Sequence, residues 1–200
     1  MLKSKILTIL LIAAFFISAT AQENRKIIDS LFTQLELAND EEKIDILNEL
    51  AFNYWRYSLD SSLYYATEAL NIAHILKSQK GISDAYNRIG NVYHFRNDKN
   101  KALEYYNKCL QIRLELGDSK SISNIYNNIA SVYEDNGASD SAIIYYTKAL
   151  QESIKRDDKF DIAFFNSNIG INYKYQSNYK KALEFLLKAL DIAKNAENAN

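Results

Sequence analysis

The chain has 200 residues, enough for one or two domains with a proper core, and its 48% hydrophobic and 24% charged composition excludes a disordered chain and a multi-span membrane protein. It contains no proline, five glycines and fifteen tyrosines, so the punctuation that a many-turned β-fold needs is missing and an all-α chain fits best. A formal net charge of -1 offers nothing that attracts nucleic acid.

Residues 1–21 carry the three parts of a secretory signal peptide: Lys3 and Lys5, an apolar run of twelve residues from Ile6 to Ile17, and Ala19-Thr20-Ala21 as a small-x-small cleavage site. Twelve helical residues span about 18 Å, short of the roughly 30 Å hydrocarbon core. The expectation is cleavage before Gln22, export to the periplasm or the medium, and no stable membrane span afterwards. Removing Lys3 and Lys5 from the 24 basic residues leaves 22 against 25 acidic ones, a balance of -3. The lone Cys109 is far from the leader, so neither a lipid anchor nor an internal disulfide is expected.

Residues 22–43 form an N-terminal cap region. Within it Ile27, Ile28, Leu31, Leu35 and Ala38 recur at helical spacing, which predicts a helix over 24–38 that covers the exposed face of the first repeat.

From residue 44 onward the chain repeats. Gly90, Ala130 and Gly170 lie 40 residues apart, as do Ala102, Ala142 and Ala182, and Tyr93, Tyr133 and Tyr173. An earlier, divergent unit keeps Leu50-Ala51, Tyr54 and Ala69, has Ser62 in place of an alanine, and stands 39 residues before the next. The units are 44–82, 83–122, 123–162 and 163–200. Each resolves into two helices. Tyr86, Ile89, Gly90 and Tyr93 mark one face of the first, and Ala102, Leu103, Tyr106, Cys109, Leu110 and Leu114 one face of the second. The breaks fall at Asn97-Asp98, Asn136-Gly137 and Ser177-Asn178. Asn136-Gly137 suits a left-handed C-cap, and Asp98, Ser139 and Asn178 suit N-caps. Gly90, Ala130 and Gly170 are expected to face Ala102, Ala142 and Ala182, letting the paired backbones approach closely.

On these residues the chain resembles the tetratricopeptide repeat family from residue 44 to about 196. Tyr86, Ile89, Gly90, Tyr93, Ala102, Tyr106 and Cys109 stand at its seven marker positions in the second unit. Tyr126, Ile129, Ala130, Tyr133, Ala142, Tyr146 and Ala149 do so in the third, and Asn166, Ile169, Gly170, Tyr173, Ala182, Leu186 and Ala189 in the fourth. The family's proline is absent and the period is 40 instead of 34, so longer helices and linkers such as Gly117–Ser121 are expected, as in the long-repeat branch of kinesin light chains. The implied fold is a right-handed α-solenoid of antiparallel helical hairpins, about four repeats plus the N-terminal helix.

In that family the first helices line a concave groove. Carried over by position, the groove residues are Asn48; Asn87, Arg88 and Asn91; Asn127, Asn128 and Ser131; and Ser167 and Asn168. An asparagine amide both donates and accepts, so a row of them can hold an extended peptide with little regard to its side chains. Trp55, Arg56, His94, Phe95, Lys174 and Tyr175 are expected at the rim. A clamp for a peptide's terminal carboxylate needs several basic groove residues, and Arg88 is the only clear one.

Nothing points to catalysis, and no cofactor or metal is expected. His74 and His94 have no companion at metal-ligand spacing, and no phosphate loop or nucleophile motif occurs. Cys109 occupies a small-residue core position, and the pairs Tyr64-Tyr65, Tyr105-Tyr106 and Tyr145-Tyr146 recur at the repeat period as packing residues. The sequence therefore reads as an exported scaffold binding a protein or extended peptide. The alternative is the extracytoplasmic sensory region of a bacterial histidine kinase or transcriptional regulator, of which this chain is the front part. The fourth repeat lacks a capping helix, which also opens homo-oligomerisation through that end.

Overall fold

The computed structural model describes residues 23–197, so the leader and its cleavage before Gln22 lie outside the described residues. Helix α1 covers 23–37. Four antiparallel hairpins come after it: α2 (Asp40–Tyr54) with α3 (Leu59–Ile75), α4 (Gln79–Phe95) with α5 (Lys99–Leu116), α6 (Ser119–Asp135) with α7 (Ser139–Lys155), and α8 (Lys159–Tyr175) with α9 (Tyr179–Glu197). Among the described residues there is no strand. Each helix packs on its neighbours in chain order, and α4 also touches both α2 and α6, so these first helices form one layer of a solenoid.

The repeat length is set by one local device used six times. Lys77, Asn97, Gly117, Gly137, Asp157 and Ser177 fall twenty residues apart, and each has a left-handed backbone with φ between +53° and +71°. The next residue in each case sends its N–H back to the carbonyl five positions earlier, as in Ser78 to Ala73 and Asp98 to Tyr93, both at 2.9 Å. That is the Schellman closure of a helix. The same residue then opens the following helix: Ser78, Asp98, Asp118, Asp158 and Asn178 accept the N–H of Gly81, Lys101, Ser121, Asp161 and Lys181. One residue thus ends one helix and starts another.

Two expectations about this region are corrected. The linker between the second and third hairpins is no longer than the turns within hairpins, because Ser119–Ser121 already belong to α6. The extra length lies in helices of 17 residues or more. Ser139 is not an N-cap: Ala138 holds that position with no side-chain hydrogen bond, and Ser139 is the first helical residue.

The core runs through the solenoid as linked clusters. Ala102, Tyr106 and Cys109 of α5 meet Ile125, Ile129 and Val132 of α6, while Ala142, Tyr146 and Ala149 of α7 meet Phe165 and Ile169 of α8. Leu31 of α1 is buried against Leu47, Leu50 and Ala69, so α1 covers the first hairpin as expected. In the second hairpin a Cβ at Gly90 would meet the ring of Tyr106 at 2.7 Å, so the glycine makes room for that ring. At Gly170 it would meet Leu186 at 2.9 Å and the backbone oxygen of Ala182 at 3.1 Å.

The buried stripe of α5 also ends differently. Leu114 is 52% exposed, and Arg113 is buried in its stead. Its guanidinium pairs with Asp84 of α4 and, at 2.9 Å, with the N-cap Asp118 of α6, pinning three helices. The tyrosine pairs are packing elements: Tyr105 and Tyr145 stack on Tyr93 and Tyr133 at 5.6 and 5.5 Å with rings 9° from parallel. Tyr64 is the exception, 59% exposed and edge-on to Tyr65.

Candidate functional site

The side chains pointing away from the second helices gather in a cleft of about 280 Å³ formed by α2, α4 and α6, with Ser62 of α3 and Tyr106 of α5 beneath. Arg88, Asn91, Asn128 and Ser131, all predicted groove residues, line it. Trp55, His94 and Phe95, expected at the rim, form its wall. Trp55 and Phe95 stack at 4.4 Å, and Arg56 lies over Trp55 at 4.8 Å. His94 reaches from α4 to Asp135 of α6 at 2.8 Å.

The amides at the cleft are joined. Asn128 donates its Nδ2 hydrogens to Asn87 Oδ1 at 3.0 Å and, more weakly, to Asn91 Oδ1 at 3.5 Å. Asn91 Oδ1 also accepts the hydroxyl of Tyr106 at 2.7 Å. Asparagines of successive repeats therefore hold one another in place before any ligand arrives. Ser131 is placed similarly: its hydroxyl donates to the carbonyl of Asn127 and sits 3.4 Å from Tyr146 Oη.

Several predicted residues lie elsewhere. Asn48 is buried and donates to the carbonyl of Ile44, one turn earlier in its own helix. This is a local bond that short polar side chains make readily. Asn127 has a buried Oδ1 without a partner. Ser167 and Asn168 are half-buried on α8, outside the cleft wall. Lys174 and Tyr175 are exposed at the end of α8, also outside it.

Phe52 was missed. It is 50% exposed, lines the cleft, and lies under the Arg88 guanidinium at 4.7 Å. The signal was available, because the register that aligns Ala51 with Gly90 also aligns Phe52 with Asn91 and Ser131. An asparagine-only search passes over it.

Elsewhere, burial pushes the Cys109 thiol up to about 12, with Arg113 opposing, so it stays a protonated core side chain. Among the described residues, no group of three or more potential ligands stands together to hold a metal ion, and no helix is long and apolar enough to cross a membrane.

Comparison with protein families finds tetratricopeptide repeats along most of the chain. A family described as SusR N-terminal TPR domain matches residues 18–96, and two described as Tetratricopeptide repeat match 83–113 and 121–195. Among solved structures, the chain is similar to BtubC (BKLC) from P. vanneervenii, with 21% identity, a TM-score of 0.73, and 91% of this chain and 77% of that one covered. It is similar to the Rap protein complexed with Competence and Sporulation Factor, with 19% identity, a TM-score of 0.78, and 92% and 53% covered. It is also similar to the Signal Transduction ATPase with Numerous Domains protein with a tetratricopeptide repeat sensor from Pyrococcus horikoshii, with 20% identity, a TM-score of 0.78, and 92% and 29% covered. These likenesses show the fold. The chain spans about half of the Rap chain and under a third of the ATPase chain. A comparison with curated proteins found no match.

Proposed function

We propose that this tetratricopeptide-repeat solenoid is an exported scaffold that holds a protein or extended peptide in the cleft between α2, α4 and α6. The observation that carries the reading is the cleft itself, where pre-set amides and an arginine stand beside a half-exposed aromatic wall. Polar groups that fix a backbone, next to aromatic anchors, are what peptide recognition needs. The amides are already oriented, so binding loses less side-chain freedom. Export rests on the leader, Lys3 to Ala21. The Rap protein supports the binding reading, being a structural relative seen with Competence and Sporulation Factor.

A second reading is the sensory region of a signalling protein. Two observations favour it: the match to the SusR N-terminal TPR domain, and a structural relative whose repeats are a sensor. In that reading the cleft is still the binding site, and occupancy is passed to a further domain.

The test is a pull-down from the exported fraction with protein starting at Gln22. Wild type is compared with Phe52→Ala plus Asn128→Ala, and with Ile144→Ser on the exposed face of α7, all at matched helicity. The proposal expects a partner held by wild type and by Ile144→Ser and released by the double variant. A partner released by Ile144→Ser and kept by the double variant removes the cleft from consideration. Mass spectrometry of the native protein checks export: a chain beginning at Gln22 supports it, and an intact Met1 opposes it.

A further inference from the structure

We infer that the cleft selects an acidic side chain, an Asp or Glu within an extended segment, with a large apolar residue beside it. The inference rests on the cleft being the binding site and names what it binds.

Arg88 is the first observation. Three other arginines find aspartates: Arg96 with Asp60, Arg113 with Asp84 and Asp118, and Arg156 with Asp158 and Asp161. Arg88 takes part in no ion pair among the described residues, and its Nε is buried with no hydrogen-bond partner. The nearest carboxylates do not serve it. Asp84, one turn earlier, is committed to Arg113 and Lys80, and Glu49 is exposed. Burial lowers the Arg88 pKa despite both of these acids, the mark of a cation that has lost water and gained too little in return. The guanidinium lies 4.7 Å over the face of Phe52, and among the described residues its terminal nitrogens make no hydrogen bond, so its fork is available.

The second observation is the direction of the amide network. Asn128 Nδ2 donates to Asn87 and Asn91, and Tyr106 adds a second donor to Asn91 Oδ1. Asn91 lines the cleft with its acceptor end engaged, so its Nδ2 group is the end left for a ligand. A cleft that offers a guanidinium and amide N–H groups fits a ligand rich in acceptors. A carboxylate fits best, since it takes the planar fork through two oxygens.

The third observation is the wall. Trp55 and Phe95 are stacked, Phe95 is 51% exposed, and Phe52 is 50% exposed. This apolar shelf stands next to the cation, so the side chain flanking the acid has a place to bury itself. The combination excludes water from the ion pair, which strengthens it.

The experiment screens an array of random 12-residue peptides, amidated at the C-terminus, with the chain from Gln22. The expected binders carry Asp or Glu within two residues of an aromatic, Leu or Ile. Changing that acid to its amide weakens binding by about tenfold in wild type. The same change has little effect on Arg88→Gln or Arg88→Met, and Trp55→Ala lowers binding of all of these peptides. Circular dichroism confirms that each variant is folded. Binders that need Trp55 but ignore both the acid and Arg88 overturn the acidic preference while leaving the cleft in place. Binders indifferent to Trp55 and Arg88 alike overturn the cleft reading itself, as does an array with no binder. Binding that appears only with a free C-terminal carboxylate overturns the side-chain assignment in favour of a chain end.

Discussion

The hydroxyl of Tyr106 passes from the fully buried interior of the second hairpin to the cleft, where it donates to Asn91 Oδ1 at 2.7 Å. One side chain thus serves both the core and the binding face. Its ring fills the space that Gly90 leaves open. Tyr106→Phe keeps the ring and removes the bond, and it is expected to cost about 1 kcal/mol of stability. It is also expected to weaken peptide binding, since Asn91 keeps only the longer contact from Asn128. Denaturant unfolding and a binding titration check the two effects separately.

Gly90→Ala places a methyl group 2.7 Å from the Tyr106 ring and is expected to destabilise by about 1–3 kcal/mol through overpacking. The third hairpin carries Ala130 at the same position, and there the Tyr146 hydroxyl goes to Glu134 at 2.6 Å, a residue further along the helix. The double variant Gly90→Ala plus Tyr106→Leu should recover most of the loss. If the double variant is as unstable as the sum of its parts, the two residues do not interact as described. Thermal melts of the four proteins in the cycle decide it.

The left-handed turn residues should respond chiefly to backbone chemistry, Asp157 giving up in addition its exposed pair with Lys159. Lys77 and Asp157 adopt φ of +55° and +53°, where a side chain costs roughly 1–2 kcal/mol that glycine avoids. Lys77→Gly and Asp157→Gly are therefore expected to stabilise by a fraction of that amount, about 0.5–1 kcal/mol each. Gly137→Ala is expected to destabilise by about 1 kcal/mol although nothing lies within 4 Å of the added methyl. Urea midpoints measured at constant m-value test all three.

Acid should loosen the junctions between hairpins. Burial acts to raise the Asp118 pKa, but hydrogen bonds from Ser121 and the charge of Arg113 outweigh it and hold the carboxyl below its ordinary value. In Glu152, burial is likewise outweighed, here by Lys155, Ser119 and Arg156. A carboxyl whose pKa is depressed by folding contributes stability above its unfolded value, near pH 4, and loses it as pH falls through the folded value. Stability should thus be level above about pH 5 and fall below about pH 4, with a shallower fall in Asp118→Asn plus Glu152→Gln. Urea unfolding at a series of pH values gives the slope.

Arg113→Ala is expected to be among the most damaging single changes in the chain, at roughly 3 kcal/mol, because it strips Asp84 and Asp118 of their shared partner. Arg113→Met together with Asp84→Leu should be milder, since the buried cation goes together with its α4 partner and the remaining Asp118 is still held by Ser121. Equal losses in the two variants count against the network. Thermal unfolding of both, beside wild type, makes the comparison.

The sequence by itself determined the hairpins, because their code is local. The 3.6-residue stripes and the N-caps at Asp98 and Asn178 act within a few residues of chain, and the small residues at Gly90 and Gly170 act within one hairpin, on Tyr106 and Leu186. The helix over 23–37 and the packing of the tyrosine pairs were legible on the same ground. The left-handed C-cap itself was legible at Asn136-Gly137, and the breaks at Asn97-Asp98 and Ser177-Asn178 were legible from their small polar residues. Lys77 and Asp157 carry no visible mark of a left-handed backbone, which is imposed by the Schellman closure around them. What only the tertiary structure decided was the fate of polar side chains. Asn48 and Asn87 occupy the same repeat position, yet one turns back to its own helix and the other meets Asn128 from the next repeat. Arg113 is buried because Asp84 and Asp118 reach it from two other helices, and Arg88 is left unpaired because its nearest aspartate is already taken. Hydrogen bonds and ion pairs are settled by which groups meet across an interface. Many of those groups lie about 30 to 40 residues apart in the chain, beyond the reach of any local pattern.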